Sequence, residues 1–316
     1  MPRRRSSPSP APRNPPTFGP RAVGWSIFVG YAALNVIRKA WPSAIAQSSF
    51  TEELGLTPAD IGAVTSFHGA AYGLSKFFSA VLMDRVSPEH APRVFSLGLC
   101  FCGAAVGLMA SSTTLESLTG LWILQGLLQG LGWPTASKLL VQRMEKNELG
   151  YWWGLISVSG NVGAGIAPTA TALLARHTGG WRVIFVASGT LALGLGVGVH
   201  AVLSAATPSP LSLRAEGHGS SKRAAAGNKK QSQPAAAAAT PSTDGSSAAM
   251  RVLCSPPIWL LALSNMAAYL PLKACGEWGV LLSTEQFGTT VFAGSMLLTA
   301  FEGAGFFGTM RIFNHA

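Results

Sequence analysis

Residues 23–47 read VGWSIFVGYAALNVIRKAWPSAIAQ, and the rest of the chain is read from them. A helix crossing the hydrocarbon core of a bilayer needs about 20 mostly apolar residues, and this stretch supplies them. It also carries Arg38 and Lys39. A charge at mid-bilayer costs about 2.5–3.5 kcal/mol on insertion scales, so such residues face a polar cavity rather than lipid. One segment therefore implies both a membrane and a reason to hold cations inside it.

The composition agrees. Only 11% of the 316 residues are charged and 48% are hydrophobic, where a soluble domain carries about 25% charged residues. Mean hydropathy is +0.33. A soluble enzyme, a disulfide-rich secreted domain, a collagen-like repeat and a wholly disordered chain are all excluded. Cys100, Cys102, Cys254 and Cys275 show no metal-ligand spacing and no disulfide framework, and read as small packing residues. No cofactor or metal is expected.

Apolar segments recur at residues 23–47, 61–83, 92–110, 118–141, 150–175, 181–205, 256–283 and 289–313, which predicts roughly eight passes of an all-α polytopic membrane protein. Thr57-Pro58-Ala59-Asp60 is a helix-start signal for the second. Small residues spaced four apart, Gly69/Gly73, Gly103/Gly107, Gly126/Gly130 and Gly194/Gly198, would let helices approach closely in lipid. Residues 1–22 read as a disordered basic tail, residues 23–205 as a six-helix half, residues 206–254 as a low-complexity linker and residues 255–316 as part of a second half.

A net charge of +10 is compatible with nucleic-acid binding, but its distribution argues otherwise. Arg3, Arg4, Arg5, Arg13 and Arg21 lie in the tail. Arg214, Lys222, Arg223, Lys229, Lys230 and Arg251 lie in the linker, and Arg85, Arg93, Arg143 and Lys146 in loops on the same side. This positive-inside bias puts the tail and the linker in the cytosol and removes the case for nucleic acid.

Arg38, Lys39, Lys76, Lys138 and Lys273 fall within or at the ends of spans, opposed by Glu277 and Glu302. That positive surplus suits an anionic substrate. Tyr31, Asn35 and Arg38 share one face of the first span. His68, Tyr72 and Lys76 form a row on the second, Gln125, Gln129 and Trp133 on the fourth, and Tyr269, Lys273 and Glu277 on the seventh. A guanidinium matches phosphate oxygens as a planar fork, while a lysine acts as a point charge. Arg38 has no acid on its own helix and is the strongest ligand candidate. Lys138 reads as an interface anchor, Lys273 as open to neutralisation by Glu277 one turn on, His68 as a packing residue and Glu302 as a helix-contact residue. No arrangement for covalent catalysis is present, so no catalytic residue and no enzyme are expected.

Several stretches together resemble the organophosphate:phosphate antiporters of the major facilitator superfamily, the group of the glucose-6-phosphate and glycerol-3-phosphate transporters. They are Gly30-Tyr31-Ala32-Ala33 with Arg38-Lys39, Ala71-Tyr72-Gly73-Leu74-Ser75-Lys76-Phe77, Asp84-Arg85 followed by Pro92-Arg93-Val94-Phe95, and Gln129-Gly130-Leu131-Gly132-Trp133-Pro134. Trp152-Trp153, Asn161-Val162-Gly163-Ala164-Gly165-Ile166-Ala167-Pro168, Trp181-Arg182 and the Lys273 to Trp278 stretch continue the likeness. The resemblance implies twelve helices in two halves, with phosphate bound between them. Arg38 and Lys273 fall on the family's basic positions of the first and seventh helices, and Tyr72, Lys76 and Trp133 on cavity positions. Asp84 and Arg85 match the cytosolic gating motif.

Three departures stand out. Gly160 replaces a histidine of the glycerol-3-phosphate transporter, Pro42 is displaced from the proline that ends the family's first helix, and the sequence leaves the family pattern after Thr309. The expected fold is thus a complete six-helix N-terminal half with about two helices of the C-terminal half. The expected function is exchange of a phosphorylated sugar or related organophosphate for inorganic phosphate by alternating access, with Tyr31, Asn35, Arg38, Tyr72, Lys76, Trp133 and Lys273 binding substrate. In the empty site the unpaired cations would resist closure. The 316-residue product alone is expected not to transport. A monomer is expected, in the endoplasmic-reticulum membrane, with the plastid envelope or plasma membrane as alternatives. A non-transporting membrane sensor of sugar phosphates is the second reading.

Overall fold

The computed structural model describes residues 18–178, 180–206 and 254–313. The expected tail basics Arg3, Arg4, Arg5 and Arg13, and the linker basics Arg214 to Arg251, lie outside the described residues. The described residues form α-helices: α1 (Pro20–Arg38), α2 (Ala40–Ile45), α3 (Ser48–Glu53), α4 (Pro58–Arg85), α5 (Ala91–Met109), α6 (Leu115–Gln129), α7 (Gly132–Arg143), α8 (Leu149–Thr178), α9 (Arg182–Ala205), α10 (Pro256–Phe287) and α11 (Val291–Phe313).

Two of the expected spans are broken. Proline removes one backbone donor and crowds the carbonyl four residues back. Pro42 does this to Arg38, so α1 stops there and α2 resumes after Lys39. Pro134 does the same to Gly130, and α6 gives way to α7. Prolines can therefore set both breaks, and the first falls on the two cations of the opening segment. The start of α1 also differs from expectation. It begins at Pro20, inside the stretch read as tail, because proline is well suited to the first helical turn. Taken alone, α5, α9, α10 and residues 291–309 of α11 are long and apolar enough to cross a membrane. The other spans are broken or carry more polar residues.

The start of α4 is as expected. Thr57 Oγ1 accepts from Asp60 N at 3.2 Å, and Thr57 N donates back to Asp60 Oδ2 at 2.9 Å, a reciprocal capping box. α1 lies against α8 and α9, α5 between α6 and α9, and α4 against α6 and α7. The core of this bundle holds the fully buried Trp41, Trp122, Trp181, Phe50 and Phe185. Trp41 stacks on Trp122 at 5.9 Å, and Phe50 meets the edge of Trp181 at 4.7 Å.

Half of the expected close approaches occur. A Cβ on Gly103 would lie 2.8 Å from Gly189 O, and one on Gly189 2.6 Å from Gly103 O, so α5 and α9 touch backbone to backbone. Gly126 and Gly130 let α6 close on His68 and Ser75 of α4. Gly69, Gly73, Gly194 and Gly198 instead have no neighbouring atom in the path of a Cβ. Gly189, the partner that matters, has no glycine four residues away and carries no such signal.

α11 rests on α8. Thr299 Oγ1 donates to Gly165 O at 2.6 Å, and Thr169 and Thr299 hydroxyls meet at 2.7 Å. α10 is exposed along most of its length, with Leu260, Leu261 and Leu270 about two-thirds or more open and no buried residue before Gly276.

Candidate functional site

A cavity of about 150 Å³ lies between α1 and α8 on one side and α10 and α11 on the other. Tyr31, Asn35, Arg38, Lys39, Lys273, Glu277 and Glu302 line it. Arg38 and Lys39 meet separate partners. Arg38 Nε lies 3.6 Å from Glu277 Oε1, and Lys39 Nζ lies 3.5 Å from Glu302 Oε1. Lys39 Nζ also donates to Gly276 O at 2.9 Å.

These pairs correct three expectations. Glu277 partners Arg38 rather than Lys273 one turn away. Glu302 does more than touch a neighbouring helix, because it meets the Lys39 ammonium. The cavity cations are also not all unpaired, since Arg38 and Lys39 each face a carboxylate. Lys39 and Glu302 are thus site residues that the sequence pattern undervalues. Lys39 sits about 100° around the helix from Arg38 but within about 40° of Asn35, so the two cations flank Asn35 and both line the cavity.

Two features leave binding capacity. At 3.6 Å the Arg38–Glu277 approach is too long for a hydrogen bond, and among the described residues Arg38 Nε is buried without a hydrogen-bond partner. Among the described residues Lys273 has no carboxylate within ion-pair distance, and its Nζ lies 5.6 Å from the centre of the Tyr269 ring. A buried charged donor without a partner is costly, and an anion in the cavity would relieve it.

The remaining expected site residues divide. Tyr31 and Asn35 line the cavity, with Asn35 Nδ2 donating to Tyr31 O at 2.9 Å. Tyr72 does not line it but takes the Arg38 guanidinium over its ring at 4.9 Å, with Lys76 Nζ 5.6 Å from the same ring. Trp133 is joined through Tyr31, ring to ring at 5.3 Å. Asp84 and Arg85 are exposed at the end of α4, away from the cavity. Lys138 is not a simple interface anchor, because its Nζ donates to the carbonyls of Met83 and Val86 and so caps α4 on either side of Asp84-Arg85.

A buried hydrogen-bond chain supports α1 just before the break. Gln129 Nε2 donates to Leu34 O at 2.9 Å, Gln125 Nε2 to Gln129 Oε1 at 2.9 Å, and Gln125 Oε1 lies 2.7 Å from His68 Nε2. A carbonyl can only accept, so Leu34 orients both amides and requires His68 to carry its proton on Nε2. His68 also stacks on Trp122 at 4.1 Å, in keeping with a packing residue.

The fold and the cavity define a multi-pass helical membrane protein with charged residues gathered between its first and seventh spans. Residues 24–314 match the model of the Major Facilitator Superfamily, and the chain belongs to that superfamily. Its relatives include hexose phosphate transport proteins and glycerol-3-phosphate transporters. It is 31% identical to the membrane sensor protein UhpC of Salmonella typhimurium, covering 90% of this chain and 61% of the relative. It is 26% identical to a probable hexose phosphate transport protein of Chlamydia pneumoniae, covering 91% and 62% respectively. The chain therefore spans about three-fifths of the length of these curated relatives. In fold it is similar to a bacterial homolog of the human lysosomal transporter Spinster in an inward-facing, unoccupied conformation. That match has a TM-score of 0.67 and 16% identity, and covers 92% of this chain and 61% of that one.

Proposed function

We propose that the cavity binds the phosphoryl group of a phosphorylated sugar or related organophosphate, and that the protein exchanges it for inorganic phosphate by alternating access. The observation that carries this reading is that one cavity between α1 and α10 holds Arg38 Nε, a buried donor with no hydrogen-bond partner among the described residues, and Lys273, which among them has no carboxylate within ion-pair distance. A phosphoryl dianion entering there meets Lys273 first as a point charge. It then draws Arg38 from Glu277 by offering a shorter, charge-assisted contact. Tyr72 keeps the guanidinium plane in place, and Lys76 adds positive potential at the edge.

Glu277 and Glu302 tie the two sides of the cavity together through Arg38 and Lys39. They hold α1 against α10 and α11 until a substrate competes, so occupancy alters the contact between the two sides. That coupling is what exchange around a fixed site requires.

The sensor reading is favoured by one observation, the name of the Salmonella relative. Competition binding separates the two. An exchanger must take inorganic phosphate and sugar phosphate at the same site, so each displaces the other from the purified chain. A sensor of sugar phosphate needs no such affinity, and millimolar inorganic phosphate then fails to displace the sugar phosphate. The named relatives are bacterial, and they lend no support to the endoplasmic-reticulum placement. A multi-pass membrane location with the basic loops facing the cytosol is the placement we propose.

A further inference from the structure

A second recess lies on the opposite face of α8 from the charged cavity. It is a groove of about 400 Å³ lined by Arg21, Trp25, Asn147, Glu148, Tyr151 and Trp152. Its depth in the membrane follows from its neighbours. Asn147 and Glu148 sit in the α7–α8 connection directly after Arg143 and Lys146, at the basic end of the bundle. Basic loops mark the cytosolic side, and amphipathic aromatic rings collect at that boundary.

Its orientation follows from helical spacing. Tyr151 is 62% exposed and lies within about 60° of Ile166 and Leu173, which are exposed apolar residues of α8. The cavity-lining Ser157, Gly160 and Ala164 point to the other side. The groove thus opens toward lipid at the level of the head groups. Trp152 is buried at its base and holds Trp25 edge-on at 6.0 Å and Tyr151 at 5.6 Å, so the two exposed rings stand as walls.

The charges are of opposite sign and are not spent on each other. Among the described residues, neither the Arg21 guanidinium nor the Glu148 carboxylate takes part in an ion pair. We propose that this groove binds the head group of a zwitterionic aminophospholipid of the cytosolic leaflet, phosphatidylethanolamine. Its phosphate is held by Arg21, and its primary ammonium by Glu148 between the faces of Trp25 and Tyr151. An ammonium over an aromatic face is attracted by the ring quadrupole, and a carboxylate beside it can accept its hydrogen bonds. An anionic head group would bring its net charge against Glu148 with no ammonium to satisfy it. A choline head group fits the rings but has no N–H to give the carboxylate.

The test uses the whole chain purified in detergent. It is titrated separately with phosphatidylethanolamine, phosphatidylcholine and phosphatidylglycerol, and bound lipid is counted by native mass spectrometry. The expected result is about fivefold tighter retention of phosphatidylethanolamine than of phosphatidylglycerol, the size of one partly exposed charge contact. Glu148→Gln should abolish that preference, and Arg21→Gln should weaken retention of all three lipids. Arg21 is exposed and Glu148 half-buried, and circular dichroism checks that the variants fold. Phosphatidylglycerol binding as tightly as phosphatidylethanolamine, or a preference that survives Glu148→Gln, overturns the proposal.

Discussion

Arg38 on α1 faces Glu277 on α10 with 3.6 Å between Nε and Oε1, close enough to attract and too far to hydrogen-bond. The pair joins the two sides of the cavity and leaves the guanidinium underused. If substrate binds as proposed, Glu277 is the stand-in that it displaces. Glu277→Gln removes the competing charge, so inorganic phosphate should bind about tenfold tighter, equivalent to about 1.4 kcal/mol. Isothermal titration of the purified variant measures this. Unchanged or weaker binding would show that Glu277 does not compete with the anion.

The His68–Gln125–Gln129–Leu34 chain makes a directional prediction. A glutamine at position 68 can place an amide N–H near the position of His68 Nε2 and keep the chain donating toward Leu34, whereas leucine orphans Gln125 Oε1 at a cost of about 1–3 kcal/mol. His68→Gln should therefore melt near the parent and retain phosphate affinity. His68→Leu should melt lower and bind phosphate more weakly, because the turn before Arg38 loses its support. Equal behaviour of the two variants in thermal melts and binding assays would mean that the hydrogen-bond chain does not support the site.

Gly103 and Gly189 bring α5 and α9 into backbone contact. A methyl at Gly189 would meet Gly103 O at 2.6 Å and the Gly107 backbone at 2.7 Å, with no flexible side chain to yield. Gly189→Ala should lower stability by about 1–3 kcal/mol, the usual range for overpacking. Gly194→Ala, with open space around it, should be close to neutral. Thermal unfolding of the two variants in the same detergent compares them directly.

At the opposite end of the bundle from the basic loops, Glu53 takes two hydrogen bonds from Arg182, at 2.7 and 2.8 Å, and one from Trp181 Nε1 at 2.8 Å. The Arg182 bonds, then the Trp181 bond, hold its carboxyl down at about 2, from an ordinary value of 4.5. A carboxyl lowered on folding stabilises the folded state above its ordinary value. That contribution fades as pH falls from about 4.5 toward 2. Glu53→Gln should accordingly melt below the parent at pH 7, and the gap should narrow across that acid range. A gap that stays constant with pH would mean the carboxylate charge is not what ties α3 to α9.

Much of the architecture is legible in the sequence, because an apolar run of span length has few alternatives in lipid and Thr57-Pro58-Ala59-Asp60 fixes a helix start by local bonds alone. The paired charges are not legible in the same way. Spacing along α10 puts Lys273 and Glu277 one turn apart and suggests that they neutralise each other. Only packing α1 against α10 shows that Arg38 takes Glu277 instead. Lys39 is undervalued by sequence for a related reason: its spacing places it near Asn35, but that it meets Glu302 depends on how α11 packs, which no spacing along α1 shows. Gly189 escapes a four-residue motif because its partners Gly103 and Gly107 lie on another helix.

Arg38 and Lys273 together are proposed to hold a phosphoryl group in the cavity between α1 and α10, and the functional reading stands or falls on that contact. Equilibrium binding of radiolabelled inorganic phosphate to the purified chain, compared with Arg38→Ala and Lys273→Ala, tests it most directly. Loss of a charge-assisted contact worth about 1.5–3 kcal/mol predicts binding weaker by roughly 10- to 150-fold in each variant, with the helical circular dichroism spectrum preserved. Phosphate binding that is undiminished in Arg38→Ala would contradict the proposed site.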